Sequence, residues 1–372
     1  MVQFPLSSLV GAEAVVLFRE ELLLCNLRPT EKALIVSDAS TNPHYVAACF
    51  GAALEIGAEI AQVVVPFVEG TPEMAARRRA EKLVPYEHII DLMQRMDFVV
   101  DLTSIGFLHS ERQVEMLSHG TRMLRVREPI EVLQRLFPTQ EIKARVEGGA
   151  RVLAASRRLR VTTPAGTDLS VDRGDRPVFM QYGFADLPGR WDHWPTAQVV
   201  QAPAEDTARG TLVLTPGDFI GHRYVSSPVR LTVEHGRITR MDGEGLDVVL
   251  LRDHFARGQE AHLWPAPQAQ KAAGGPAQTG QGGDADRISH IGWGCDHRAR
   301  YDALDRYAHY HTRGAEVRGV YGAVTLAFGS NADLGGGNRT QLHLDLGFRG
   351  ARLALDDRPV VERETFLIPE LR

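Results

Sequence analysis

Strand-like and helix-like segments alternate through the first part of the chain. The strand-like runs are KALIVSD (32–38), AQVVVPF (61–67), DFVVDLT (97–103) and TRMLRV (121–126), and stretches such as HYVAACFGAALEIG lie between them. Strands that alternate with helices form βαβ units, in which crossover helices join parallel strands. We therefore predict an N-terminal α/β domain of Rossmann-like type, with a mostly parallel sheet, over residues 1–150.

The remaining residues, 151–372, contain more strand-like segments. Two of these segments predict β-hairpins, which turn at Pro164-Ala165-Gly166 and at His235-Gly236. A helix is predicted over 298–312. From about 265 to 286 the chain is rich in Gly, Ala, Gln and Pro, so we predict a surface insertion without chemistry there. Together these patterns indicate a strand-rich α+β domain in the C-terminal part.

The composition excludes several classes of protein. The 372 residues are 44% hydrophobic and 24% charged, as in soluble globular proteins, and the formal net charge of −5 does not favour nucleic acid or anionic lipid as a partner. No apolar run approaches the roughly 18 residues that span a bilayer, and residues 9–27 predict an amphipathic helix rather than a secretion signal. Because the three cysteines are far apart, we predict no disulfide and a cytoplasmic protein.

One segment near the C-terminus alternates polar and apolar residues as a half-buried strand does, namely TQLHLDLG at 340–347. Residues two apart in a strand project to the same side, so His343 and Asp345 point together, while Leu342, Leu344 and Leu346 face the other way into the core. Such a pair forms half of a metal site, or else a His–Asp hydrogen bond on a polar face. The preceding GGGN (335–338) lets the backbone approach a site closely, which favours the metal.

The best candidate for a third ligand is His290 in SHIGWG, which we expect at the end of a strand, before a glycine-broken turn. Two histidines and one carboxylate leave positions open on an iron(II) ion, as in non-haem oxygenases. His297, His309 and His311 are rival ligands. The last two lie on the helix predicted at 298–312, where many polar neighbours favour a surface role.

Two further histidines are candidate acid–base groups. His109 lies just beyond the C-terminal end of the third predicted strand, where ligands bind in open α/β sheets. His193 lies between Trp191 and Trp194, whose rings suggest a wall for a flat aromatic substrate. The simpler interpretation is that each histidine is a loop residue that bonds to backbone groups, and spacing alone favours it.

Four segments of the chain resemble the 2,5-dihydroxypyridine 5,6-dioxygenase family. They are IVSDASTNPHYVAACFGAALEIGAE, YGFADLPGRWDHWPTAQVVQAP, ISHIGWGCDHRARYD and GVYGAVTLAFGSNADLGGGNRTQLHLDLGF. That family belongs with the thermophile dimetal aminopeptidases in the leucyl aminopeptidase superfamily. The resemblance covers nearly the whole chain outside the insertion, and it implies a metal-binding C-terminal domain of the thermophile aminopeptidase type.

The chain departs from the aminopeptidase pattern at three metal-ligand positions. Where that pattern has two glutamates and a histidine, this chain has Gln198, His290 and Thr325, and only the His-x-Asp pair is shared. A pair of divalent ions needs several carboxylates to bridge it. A second metal would therefore lack ligands in this chain.

The dioxygenase pattern, in contrast, matches position by position. The resemblance implies one Fe(2+) ion per chain, held by His290, His343 and Asp345. It also implies that His109 accepts a proton from the substrate and that His193 lies near the bound ring. The residues that we predict to shape the ring slot are Phe107, Leu108, Trp191 and Trp194.

What the resemblance implies about function is an extradiol-like ring-cleaving dioxygenase. It would open 2,5-dihydroxypyridine between carbons 5 and 6 with O2, form N-formylmaleamate and incorporate both oxygen atoms, in bacterial nicotinate degradation. Enzymes of this family form homo-oligomers, so we expect one here. The alternatives are a dimetal aminopeptidase-like metallohydrolase, a dioxygenase for another substituted hydroxypyridine, and a binding or scaffold protein without catalysis.

Overall fold

The computed structural model describes residues 11–65, 87–103, 111–260, 283–307, 312, 314–340 and 342–372. Within these ranges, no helix combines the length and the apolar character needed to cross a membrane. Most of the predicted insertion lies outside the described residues. So do three of the predicted site residues, which are Phe107, Leu108 and His109.

The strands of the described residues form three sheets. In chain order they are β1 (Lys32–Ser37), β2 (Glu59–Val64), β3 (Phe98–Asp101), β4 (Arg122–Val126), β5 (Arg158–Thr162), β6 (Asp168–Asp172), β7 (Phe179–Gln181), β8 (Trp191–Trp194), β9 (Gln198–Gln201), β10 (Arg209–Leu214), β11 (Phe219–Ile220), β12 (Arg223–Tyr224), β13 (Val229–Glu234), β14 (Arg237–Asp242), β15 (Ile288–Gly294), β16 (Val324–Gly329), β17 (His343–Phe348), β18 (Arg352–Leu355), β19 (Arg358–Glu362) and β20 (Thr365–Phe366).

The helices pack around these sheets, and several begin or end at residues that favour such a boundary. At the start of the second helix, the side chain of Asn42 accepts a hydrogen bond from the backbone of His44, and Gly57 ends that helix with φ 89°. The helices are α1 (Ala12–Leu24), α2 (Pro43–Ile56), α3 (Glu87–Gln94), α4 (Glu111–Ser118), α5 (Ile130–Arg135), α6 (Gln140–Ala154), α7 (Leu246–Glu260), α8 (Ala303–Arg306) and α9 (Ala315–Gly319), with 3-10 helices at Ala332–Leu334 and Pro369–Leu371.

The predicted parallel sheet is confirmed. Its order is β2-β1-β3-β4-β8, every pairing in it is parallel, and its first four strands match the four predicted runs. The fifth strand, β8, comes from beyond residue 150, so the sheet draws on both of the predicted domains. The boundary at 150 itself remains a prediction.

The strand-rich second part is confirmed as well. Both predicted hairpins form, β5 with β6 and β13 with β14, and they belong to an eight-stranded antiparallel sheet. At the second turn, His235 and Gly236 have φ values of 49° and 74°. A seven-stranded sheet has the order β12-β11-β17-β16-β15-β9-β7.

The two faces of this seven-stranded sheet differ in character. One face contributes apolar side chains to the main hydrophobic core, among them Ile291 and Trp293 of β15, Leu326 and Phe328 of β16, and Leu346 of β17. Because side chains alternate along a strand, the residues between them project from the other face. That second face carries the polar residues considered below.

The predicted helix at 298–312 is wrong over most of its described length. Only Ala303–Arg306 is helical there, and long-range hydrogen bonds engage the backbone at the start of the segment instead. The carbonyl of Arg298 accepts a bond from Arg135 Nη1 at 2.9 Å, and the amide of Arg300 donates to Glu316 Oε1 at 2.7 Å. Tertiary contacts therefore override the local helical pattern.

Candidate metal centre

The strand β17 places two of the predicted ligands side by side. It pairs with β16 in antiparallel register, with Gly329 opposite His343 and Ala327 opposite Asp345. His343 and Asp345 are two residues apart, so they project from the same face, and Leu346 enters the core from the other. The local geometry predicted from the polar–apolar alternation is confirmed.

The third residue, His290, lies within β15 rather than at its end, so the predicted turn after it is wrong. The register of β15 against β16 shifts between Ile288 and His290, where Ser289 forms a β-bulge. Ile288 pairs with Phe328, and His290 pairs with Ala327. A one-residue shift moves side chains to the opposite face of a sheet. The bulge therefore turns His290 away from the core and onto the face that carries Asp345.

These three side chains converge tightly. The Nε2 atoms of His290 and His343 are 3.2 Å apart, and each lies 3.5 Å from Asp345 Oδ1. Ligand atoms that share one ion at roughly 2.1 Å have separations of this size. Across the described residues, no other group of three or more His, Cys, Asp or Glu side chains comes as close. The donor set fits a single metal ion.

A backbone carbonyl orients the imidazole of His343. Its Nδ1 lies 3.1 Å from Ser330 O, which only accepts hydrogen bonds, so Nδ1 carries the proton. In the neutral ring, the lone pair is then on Nε2, the atom that faces His290 and Asp345. Metal-ligating histidines generally have such an outer partner on the other nitrogen.

Arg318 of α9 reaches the centre from a neighbouring element. Its Nη1 lies 3.2 Å from Asp345 Oδ2, which leaves Oδ1 directed at the two imidazoles. Burial opposes ionisation of Asp345, but Arg318 and then His343 outweigh it and hold the pKa of that carboxyl well below its usual range. A Cβ at Gly294 would collide with the backbone of α9, so glycine there permits the close packing.

The carboxylate acts on His343 in turn. Burial lowers the pKa of this imidazole, but the neighbouring Asp345 outweighs burial, and the pKa is raised overall. Metal ligation by a histidine requires the neutral ring. An ion that binds here must therefore displace a proton from His343 when that ring is charged.

Gln198 and Thr325 lie on the same sheet face as the three ligands, two to four residues further along the strands. Val200 and Thr325 both pair with Gly292, and Gln198 pairs with Gly294. The amide of Gln198 donates to Gln181 Oε1 at 2.5 Å. These neighbours are neutral, so among the described residues this face adds no carboxylate for a second ion.

Among the described residues, neither His193 nor His297 belongs to this close group of ligand atoms. His193 is buried in β8, opposite Arg125 of the parallel sheet, and His297 is exposed. Trp191 and Trp194 are three apart in one strand and belong to different hydrophobic clusters, so their rings do not form one wall. Trp194 packs edge-on against Phe18 with ring centroids 5.3 Å apart. His309 and His311 lie outside the described residues.

Sequence reasoning missed Arg318 and the bulge at Ser289. Arg318 lies 27 residues before Asp345, in a short helix with no local pattern that points to the site. The bulge gives a weak signal in the sequence. The core residues Ile288 and Ile291 are three positions apart, whereas core residues of an unbroken strand are an even number of positions apart. Neither feature could be assigned without the tertiary structure.

Comparison with known proteins places the chain among dioxygenases. The family described as 2,5-dihydroxypyridine 5,6-dioxygenase matches residues 13–367. The 2,5-dihydroxypyridine 5,6-dioxygenase of Pseudomonas putida KT2440 is 32% identical over 366 residues, which cover 97% of each chain.

Two solved structures have the same fold over nearly the whole chain. The 2,5-dihydroxypyridine dioxygenase from Pseudomonas putida KT2440 has a TM-score of 0.85 at 31% identity, and the match covers 99% of this chain and 100% of that one. Wild-type AmpT from Thermus thermophilus has a TM-score of 0.62 at 14% identity, covering 95% and 99%. The predicted fold of the thermophile aminopeptidase type is confirmed.

Proposed function

The chain belongs to the 2,5-dihydroxypyridine 5,6-dioxygenase family, and we therefore propose that it is an iron(II) enzyme that opens the ring of 2,5-dihydroxypyridine with O2 between carbons 5 and 6. The proposed product is N-formylmaleamate, in an extradiol-like cleavage that serves bacterial nicotinate degradation. This product keeps every atom of the substrate and both atoms of O2. The reaction therefore needs no external reductant.

The observation that carries the proposal is the convergence of His290, His343 and Asp345 within 3.5 Å of one another. Two histidines and one carboxylate with open positions are the ligand set of non-haem iron(II) oxygenases. Bound iron(II) would supply coordination sites for the substrate hydroxyl and O2 and a path for electrons between them. The ligand assignment is inferred from the donor set and from the family resemblance.

The protein's own groups would prepare this centre. Arg318 engages Asp345 Oδ2 and keeps the carboxyl ionised, so that Oδ1 serves as the ligand atom. The bond between His343 Nδ1 and Ser330 O directs the Nε2 lone pair to the same point. Both contacts hold the ligand atoms in place before an ion arrives.

We assign proton transfer to two further histidines on the strength of the resemblance. His109 would accept a proton from the substrate hydroxyl, and His193 would donate one as the ring opens. An imidazole suits both steps, because its unperturbed pKa of about 6.5 lies near working pH. In a His109→Ala variant, iron content should stay at one ion per chain while turnover falls, and loss of iron would contradict the assignment.

The proposal is tested by anaerobic reconstitution with iron(II), followed by addition of 2,5-dihydroxypyridine and O2. We expect one iron per chain, one O2 consumed for each ring lost, and both oxygen atoms of labelled O2 in the product by mass spectrometry. Fully loaded protein that consumes no O2 would overturn the proposal. Two metal ions per chain, together with hydrolysis of peptides from the amino terminus, would support the metallohydrolase instead.

A further inference from the structure

We propose that Asn331 and Asn338 are positioning residues for the metal centre. Their side-chain amides donate hydrogen bonds to backbone carbonyls at and beside the β-bulge at Ser289, an arrangement that we call the asparagine clamp. The clamp holds the imidazoles of His290 and His343 in the orientation that metal binding requires. The inference rests on the proposed function for the identity of the ligands. It adds two residues that touch neither the ion nor the substrate.

The bulge decides whether His290 can be a ligand at all. With Ile288 opposite Phe328, an unbroken register would place His290 opposite Leu326, whose side chain lies in the core. The extra residue, Ser289, moves His290 one step and pairs it with Ala327 on the site face. A bulge also interrupts the ladder hydrogen bonds, so its backbone carbonyls need other donors.

The two asparagine amides supply those donors. Asn338 Nδ2 donates to Ile288 O and to Gly329 O, each at 2.9 Å, and thereby ties β15 to β16 beside the bulge. Asn331 Nδ2 donates to Ser289 O at 3.2 Å, the carbonyl of the bulged residue itself. The two asparagines also bond to each other, since the backbone amide of Asn338 donates to Asn331 Oδ1 at 2.9 Å.

The same clamp reaches the second ligand. Ser330, which immediately precedes Asn331, supplies the carbonyl that fixes the protonated nitrogen of His343. The hydroxyl of Ser289 donates to that carbonyl as well, at 2.7 Å. The bulge, the carbonyl of Ser330 and the imidazole of His343 thus form one connected group, and both asparagines are nearly fully buried within it.

This arrangement explains the glycine-rich segment before the ligand strand. A Cβ at Gly336 would collide with the side chain of Asn331, so only glycine leaves room for the amide. Gly335 ends the preceding 3-10 helix in the left-handed region, with φ 77°. The glycines at 335–337 shape the turn that returns Asn338 to the bulge.

The expected consequence of losing the clamp is weaker metal binding. Outer partners of metal ligands typically change metal affinity by about 10- to 100-fold when they are replaced. We expect Asn338→Ala and Asn331→Ala each to weaken iron(II) binding within that range. Alanine is preferred to aspartate, because a new carboxylate beside the site would attract the cation.

The experiment titrates metal-free protein anaerobically with iron(II) against a competing chelator, and separately with cobalt(II), whose visible absorption reports ligand geometry. The variants are Asn338→Ala and Asn331→Ala. The matched control is Asn26→Ala, which removes an exposed amide that donates to Asp186 O at 2.8 Å. We expect weaker binding and an altered cobalt spectrum for the first two variants only.

The outcomes separate this inference from the proposed function. If the unmodified protein binds no iron, both fail. If it binds one iron per chain and the two variants bind as tightly, with an unchanged cobalt spectrum, the inference alone is wrong, even if the variants melt at a lower temperature. If neither variant folds, Gly336→Ala is tested instead, because the added Cβ displaces the Asn331 amide while both asparagines remain. Unchanged iron(II) affinity in Gly336→Ala would overturn the inference.

Discussion

Two buried polar clusters of this protein each pair an aspartate with an arginine, but their remaining polar contacts differ. At the carboxyl ends of β3 and β4, Asp101 Oδ2 accepts a bond from Arg125 Nη1 at 2.6 Å, and Asp101 Oδ1 accepts bonds from the backbone and hydroxyl of Thr103. At the metal centre, one oxygen of Asp345 meets Arg318, and the other faces two imidazole nitrogens at 3.5 Å.

The difference lies in how charge and lone pairs are balanced. In the first cluster, each oxygen of the buried carboxylate already has a donor from the protein, so the carboxylate needs no added cation. In the metal centre, three electron-pair donors crowd around one point, and a cation from outside would complete them. Burial of polar groups therefore does not distinguish the two clusters, whereas the convergence of three donor atoms on one point does.

The strongest test of this comparison removes a ligand. His343→Ala and Asp345→Ala should each abolish iron binding and turnover, because two ligands do not hold the ion against water and chelators. Iron content by elemental analysis and O2 uptake measure the two effects. His297→Ala, which removes an exposed histidine near β15, serves as the control and should retain both. Full iron and full activity in either ligand variant would show that the assignment is wrong.

The second test breaks the structural cluster. Asp101→Ala leaves Arg125 charged and buried without this partner, so the free energy of unfolding should fall by about 3–5 kcal/mol. Asp168→Ala breaks an exposed ion pair with Arg160 and should cost less than about 1 kcal/mol. Urea unfolding measures both. Equal losses in the free energy of unfolding would contradict the contrast between buried and exposed ion pairs. Iron binding should be unaffected, so Asp101→Ala should still bind one ion per chain with unchanged affinity.

The smallest expected effect is a dependence of stability on pH in the metal-free protein. The folded state raises the pKa of His343, mainly through Asp345 acting against burial, so folding favours the charged ring. This stabilisation is fully present below about pH 6.5, the unfolded value, and is lost as the pH rises through the folded-state value.

The measurement compares the free energy of unfolding of the metal-free protein with that of His343→Gln, which does not titrate, from about pH 5.5 to 9. The advantage of the unmodified protein should shrink as the pH rises. An advantage that grows with pH would mean that the charged imidazole is not stabilised by Asp345.

Local sequence patterns were sufficient to predict a large part of the fold and part of the candidate site. The four β-branched runs before residue 130 became parallel strands, and TQLHLDLG became β17, because the period of a strand is a property of consecutive residues. The helical pattern at 298–312 failed over most of its described length, where Arg135 and Glu316 bond to backbone groups from elsewhere in the chain. Local propensity is weak compared with such tertiary hydrogen bonds.

By itself, the order of amino acids determined that His343 and Asp345 project together, because two adjacent positions on one face follow from the geometry of any strand. Only the tertiary structure decided that His290 joins them, that Arg318 engages one carboxylate oxygen, and that the bulge at Ser289 turns the imidazole to the polar side. Those facts depend on which strands pair, in what register, and on where the short helix α9 packs. Pairing arises from contacts between residues far apart in the chain, and no local pattern contains it.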